Sequence, residues 1–121
     1  MTAKFDAQTL DALRTAVEVG IRTSRHPDRA IVIWAVVVGD AVFIRSFRGA
    51  KAQWYVAAAT DGLATVDVGN RQIPVRVLPV ADSVTIASIS TAYLAKYATS
   101  PYAKEMVRAE ILPTTLRLEP L

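Results

Sequence analysis

A chain of 121 residues has the size of one ordinary domain, and its 52% apolar content is enough to build a core. It contains no cysteine, which excludes disulfides, thiolate metal sites and cysteine nucleophiles and suits a reducing compartment. The net charge of +3 is concentrated: residues 22–51 carry six cations and two carboxylates, a surplus of +4, and the rest of the chain is −1.

Phe5 to Val17 reads as a helix with Asp6 as N-cap, Phe5 and Leu10 as a hydrophobic staple, and Leu10, Leu13 and Val17 on one face. Met1 to Asp11 is polar and has neither the charged start nor the apolar run of a signal peptide. Val19 to Ser24 alternates like a strand, and His26-Pro27-Asp28 reads as a polar turn. Ala30 to Val38 is the longest apolar run. Its nine residues are too few to cross a bilayer as a helix and read as one buried strand, so the cytoplasm is the expected compartment. Gly39-Asp40 is a two-residue hairpin turn into a strand over Ala41 to Phe47, with Phe43, Arg45 and Phe47 on one side.

Arg48 to Lys51 is a loop, and Ala52 to Ala59 a short helix stopped at Asp61-Gly62. Leu63 to Val68 and Arg71 to Leu78 pair across Gly69-Asn70, with Pro74 demanding an edge or an irregular pairing because it cannot donate to a ladder. Asp82 caps a helix running to Tyr97 with an apolar stripe of Ile86, Ile89, Tyr93, Leu94 and Tyr97. A short helix opens at Ser100-Pro101, and Thr114 to Glu119 is the closing strand. The whole is an α+β, mainly β domain over residues 1–121: a barrel of about six antiparallel strands with short peripheral helices.

The segment Phe43-Ile44-Arg45-Ser46-Phe47-Arg48-Gly49-Ala50-Lys51 combines what phosphate sites use. Arginine supplies paired donors, serine a hydroxyl, lysine a point charge, and the following helix start free N–H groups. Arg45, Ser46, Arg48 and Lys51 are therefore candidate anion ligands; the alternative is a solvated basic face with surface ion pairs. Trp34, Trp54 and Tyr55 could flank a planar ring or simply fill core or an interface. His26, the sole histidine, reads as an exposed turn residue, and no second histidine or cysteine is present to complete a zinc site of the usual kinds. No Gly-x-Ser-x-Gly elbow, Gly-x-Gly-x-x-Gly or P-loop occurs.

The order of Trp34-Ala35-Val36-Val37-Val38-Gly39-Asp40, then the Phe43 to Lys51 segment, then Trp54-Tyr55, resembles the domain of unknown function 2255 family. Ile73-Pro74-Val75-Arg76, Lys96-Tyr97 and Thr114-Thr115-Leu116-Arg117-Leu118 extend the resemblance over nearly the whole chain. That family is similar to the flavin-binding split barrels, which include pyridoxamine-phosphate oxidases and deazaflavin-dependent nitroreductases. The resemblance implies a split β-barrel, a homodimer with the cofactor at the subunit interface, and FMN or the deazaflavin F420 as that cofactor. It sets Lys51 at the phosphate-binding lysine after the third-strand loop, Arg45 and Ser46 at strand-end phosphate contacts, and Trp54 at the tryptophan after the same loop. Arg48 joins the phosphate site, and Trp34 or Trp54 shapes the ring pocket. One departure is Arg25-His26-Pro27-Asp28-Arg29, which stands where the first hairpin usually has a Gly-x-Pro turn.

The leading expectation is thus a flavin- or deazaflavin-binding oxidoreductase. A barrel that kept the fold and lost the cofactor is the alternative. Binding of single-stranded nucleic acid, stacked on Phe43, Phe47 and Trp54, is disfavoured by the nearly neutral remainder of the chain.

Overall fold

The computed structural model describes residues 4–121. Among them are seven strands: β1 Val19–Thr23, β2 His26–Ile33, β3 Ala35–Val38, β4 Ala41–Ile44, β5 Leu63–Val68, β6 Arg71–Pro79 and β7 Leu116–Pro120. Three α-helices accompany them, α1 Ala7–Thr15, α2 Gln53–Asp61 and α3 Ser83–Lys96. None is long and apolar enough to cross a membrane. All strand pairs are antiparallel, in one sheet of order β2-β1-β5-β6-β7-β4-β3.

That order carries the architecture. β2 and β3 stand at opposite ends of the sheet, yet only Trp34 separates them in sequence. Laid flat, six spacings of about 4.8 Å would hold the two ends about 29 Å apart. Two Cα steps span at most about 7.6 Å. The sheet must therefore curl until its ends meet, and it forms the half-closed barrel expected from the sequence.

The expected single strand from Ala30 to Val38 is in fact two. β2 pairs with β1 and β3 with β4, so the chain changes partner at Trp34. A continuous apolar run carries no mark of a change in partner, which is why the sequence read six strands instead of seven. The turn before β2 also moves: it is Ser24-Arg25, with Thr23 opposite His26, so His26 belongs to a strand.

Local signals fare better. Asp6 caps α1, its carboxylate accepting from Thr9 N at 2.7 Å, and Asp82 caps α3 through Thr85 N at 2.7 Å. Gly39 and Gly69 take positive φ, 62° and 59°, in the two-residue hairpin turns. Pro74 sits opposite Thr65 of β5, and its carbonyl accepts from Leu121 N just past the end of β7. Its missing N–H thus falls beyond the β7 ladder, the irregular pairing that proline requires.

Two apolar clusters fill the molecule. Inside the barrel lie Ile21, Val42, Ile44, Val66, Val75, Leu116 and Leu118, closed by Leu13 of α1 and Trp54 of α2. Outside it, Val36 and Phe43 pack against Ile89 and Tyr93 of α3 with Met106 and Ile111. The expected helix faces are corrected in part: Leu94 and Val17 are exposed. Val17 lies beyond the end of α1.

Close approach of β1 to its neighbours requires a glycine. A Cβ on Gly20 would lie 2.6 Å from the Ala30 Cβ and 3.2 Å from the Asp67 Cβ. Both are atoms fixed to strand backbone, so neither yields cheaply. Gly20→Ala should cost about 1–2 kcal/mol, overpacking partly offset by a stiffer unfolded chain. Urea denaturation at unchanged m-value reads this directly, and an unchanged midpoint would mean that β2 shifts freely.

Candidate functional site

The basic segment after β4 is built around a buried guanidinium. Arg45 is 1% exposed. Its Nε donates to Thr115 Oγ1 at 2.8 Å, one terminal nitrogen to Ser90 Oγ and Met106 O at 2.9 Å each, and the other to Ile86 O at 3.0 Å. The guanidinium also lies 5.5 Å from the centre of the Tyr93 ring. Four of the five arginine donors are engaged within the chain. Burial pushes its pKa down, but arginine remains charged in proteins. Ser46 is equally enclosed: its N–H donates to Thr114 Oγ1 at 3.0 Å and its hydroxyl to Gly49 O at 2.7 Å.

The outward cations are the other two. Arg48 and Lys51 are exposed and enter no ion pair among the described residues. Lys51 ends a 3-10 turn, Gly49–Lys51, that opens at a glycine with φ 85°. α2 begins two residues later with no side-chain cap, and its first internal bond is Val56 N to Ala52 O at 3.0 Å. The preceding N–H groups therefore point out of the helix start with no acceptor in it.

These groups face a groove of about 1010 Å³ along the opening between β2 and α2. Arg29, Arg48 and Lys51 line it, Arg45 contributes to its wall, and Glu18 is its one carboxylate. That local surplus equals the formal charge of the whole chain. Trp34 and Trp54 form part of its apolar wall. Trp54 is buried in the barrel core, whereas half-buried Trp34 stacks on Tyr97 with centroids 3.8 Å apart and planes 2° from parallel. Phe47 and Tyr102 form an exposed edge-to-face pair at the rim, and Arg108 fixes it by donating to Phe47 O at 2.8 Å.

Five of the six sequence candidates line one groove, while Ser46 is buried in the loop behind it, and the polar ones take two roles. Arg48 and Lys51 face outward as free cations, while Arg45 and Ser46 are consumed in holding the loop. His26 differs from its expected place in an exposed turn. It is half-buried at the start of β2, lines the groove, and its buried Nδ1 has no partner among the described residues. Arg29 and Glu18 were missed as groove residues: Arg29 counted only toward the charge of residues 22–51, and Glu18 stands before that stretch.

A family model described as an uncharacterized protein conserved in bacteria, DUF2255, matches residues 9–118. The chain belongs to the DUF2255 family. No curated protein matches its sequence. Among solved structures, a conserved hypothetical protein from Mycobacterium tuberculosis is similar at TM-score 0.63 and 13% identity, over 97% of this chain and 79% of that one. An F420-H2 dependent reductase is similar at TM-score 0.59 and 13% identity, over 85% of this chain and 94% of that one. A chain described as a domain-swapped dimer matches at TM-score 0.61 and 14% identity, over 85% of this chain and 80% of that one. At such identities the likeness is one of fold alone, and this DUF2255 member shares its half-closed barrel with these structures.

A second, smaller cleft of about 540 Å³ lies on the other side of Trp34, between the end of α1 and the end of α3. Lys96 lines it, donating from Nζ to Leu13 O at 3.0 Å and Ala35 O at 2.7 Å. Burial pushes its pKa down from 10.5 to about 8. Tyr97, beneath the ammonium, donates from its hydroxyl to Val17 O at 2.7 Å, and burial with the nearby Glu18 charge raises its pKa.

The Arg45 network has a measurable consequence for the DUF2255 fold. Arg45→Met should destabilise by about 2–4 kcal/mol, because two carbonyls and two hydroxyls lose a charged donor. Arg45→Lys should recover less than half of this, since one ammonium cannot span acceptors from three elements. Chemical denaturation of both variants checks it. A loss below about 0.5 kcal/mol, typical of exposed sites, would show that the network is dispensable.

Proposed function

We propose that the protein binds FMN or the deazaflavin F420 in the groove and acts as an oxidoreductase. The observation that carries this reading is the pairing of free cations with an open helix start: Arg48 and Lys51 flank uncapped N–H groups of α2 beside an apolar wall. A phosphate there would accept charge-assisted bonds from Lys51 and Arg48 and further bonds from the α2 backbone. The groove volume is at the upper end of ligand sites, enough for a tricyclic ring and its chain. In this reading Arg45 and Ser46 shape the loop and leave the direct contacts to Lys51 and Arg48. Trp34 and Trp54 bound the ring.

A bound flavin or deazaflavin supplies the hydride chemistry, and the protein supplies orientation and exclusion of water. The groove alone excludes little water, because it is open along β2. A second copy seated over Val32, Phe47 and Tyr102, all exposed apolar residues of its rim, would close it. We therefore read the protein as a cytoplasmic homodimer built on one domain, with a site at each side of the interface. Sedimentation at micromolar concentration should give a dimer, and a clean monomer would remove the means of closing the groove.

Titration with each cofactor, followed by absorbance and by quenching of the two tryptophans, tests the binding itself. Wild type should bind one of them saturably. Lys51→Ala should weaken that binding by about ten- to a hundredfold, the worth of one charge-assisted phosphate contact, while leaving the fold intact. Absence of saturable binding to either at millimolar cofactor would end the oxidoreductase reading in favour of a cofactor-free interaction module. Equal binding by Lys51→Ala would mean that the phosphate lies elsewhere in the groove.

A further inference from the structure

The cofactor reading uses the α2 side of the groove and leaves its β2 side unexplained. A phosphate monoester carries about two negative charges near neutral pH. Arg48 and Lys51 together balance that charge. Arg29 of β2 lines the same groove, is exposed, and enters no ion pair among the described residues. Glu18, the groove's one carboxylate, stands at the other end of β2, because its neighbour Val19 pairs with Ile33. Ile33 and Arg29 are four residues apart, about 13 Å along a strand. The Arg29 end of the groove therefore has no carboxylate in its lining.

His26 supplies a second polar group on that wall. Its Nδ1 is buried without a partner among the described residues, and so is Oγ1 of Thr23. Thr23 stands directly opposite His26 across the β1–β2 ladder. Facing residues of paired strands have Cβ atoms about 5 Å apart. A hydroxyl turned toward Nδ1 gives its proton to the ring lone pair, directly or through one shared water. The reverse arrangement, Nδ1–H donating to Oγ1, leaves the buried hydroxyl proton with no acceptor and is disfavoured. The ring proton of neutral His26 therefore sits on Nε2, and the charged ring carries one there as well. Only Nδ1 of the two ring nitrogens is enclosed, so Nε2 presents a donor to the groove in either form.

Resting on the cofactor reading, we propose that the β2 wall holds the second substrate, and that this substrate is a small carboxylate bound by the Arg29 guanidinium and the Nε2–H of His26. Arginine offers a carboxylate two parallel N–H donors, and the imidazole adds a third. The carboxylate is then the counter-ion that Arg29 lacks. Ile31 and Ile33 continue the same face of β2 by alternation, and both line the groove. The carbon chain of the substrate lies along them toward Trp34, which bounds the cofactor ring in that reading.

The test uses the full chain, with butyrate as the probe and butyramide as its uncharged counterpart, at fixed pH and ionic strength. His26 is the sole histidine, so its Cε1–H gives a single proton resonance. Butyrate should shift that resonance saturably, in the free chain or with cofactor added, and butyramide should not. Arg29→Gln should weaken butyrate binding about tenfold or more, the worth of one charge-assisted contact, and leave cofactor affinity unchanged. Lys51→Ala should do the reverse. A long-range nitrogen–proton correlation should place the proton of the neutral ring on Nε2. Equal shifts from butyrate and butyramide, a neutral ring protonated on Nδ1, or an Arg29→Gln variant that loses cofactor affinity instead of butyrate would each overturn the proposal. Cofactor binding with no butyrate binding would overturn the carboxylate site alone. Butyrate binding by a chain that takes neither cofactor would overturn the substrate role together with the oxidoreductase reading, and leave the carboxylate site in place.

Discussion

A guanidinium buried without a carboxylate must find neutral acceptors or cost several kcal/mol. Arg45 finds them on α3, on Met106 of a second 3-10 turn, Ala103–Val107, and on Thr115 just before β7, with the Tyr93 ring beneath it. One side chain thereby fixes the end of β4 against three other parts of the chain. The loop that follows hangs from that anchor: Ser46 bonds to Thr114 and to Gly49, and Gly49–Lys51 leads into α2. The outward direction of Arg48 and Lys51 is set by a cation that itself faces inward.

The second constraint is the change of partner at Trp34. Where β2 gives way to β3, backbone carbonyls need donors from outside the regular ladder. The Tyr93 hydroxyl donates to Trp34 O at 2.8 Å, and Lys96 Nζ to Ala35 O at 2.7 Å. Both donors come from α3, so the helix outside the barrel is what completes the break within it. The Trp34 indole, half-buried and stacked on Tyr97, separates the groove from the smaller cleft and borders both.

Arg45 and Lys96 show two outcomes of the same problem. Both are cations drawn under α3, both meet carbonyl or hydroxyl oxygens, and both lie over a tyrosine. Arginine keeps its charge whatever its surroundings and becomes a fixed strut. Lysine can lose its proton, and burial brings that loss to about pH 8. The tyrosines shift oppositely, since burial disfavours their charged form, and they stay neutral donors throughout this range.

By itself the sequence determined whatever depends on neighbours along the chain. The caps at Asp6 and Asp82, the glycine hairpin turns, the β5–β6 alternation and the irregular pairing at Pro74 are local in cause and were legible. So was the basic segment, because Arg45, Arg48 and Lys51 stand within seven residues. Tertiary structure alone decided which way each of these cations faces. Alternation put Arg45 on the side of Phe43, but only α3 and the 3-10 turn made that side an interior. It also decided that the apolar run breaks at Trp34, that His26 and Arg29 reach the same groove as Lys51, and that Lys96 is drawn off the surface. Each of these follows from contacts between residues tens of positions apart, which the curling of the sheet creates and no local pattern encodes.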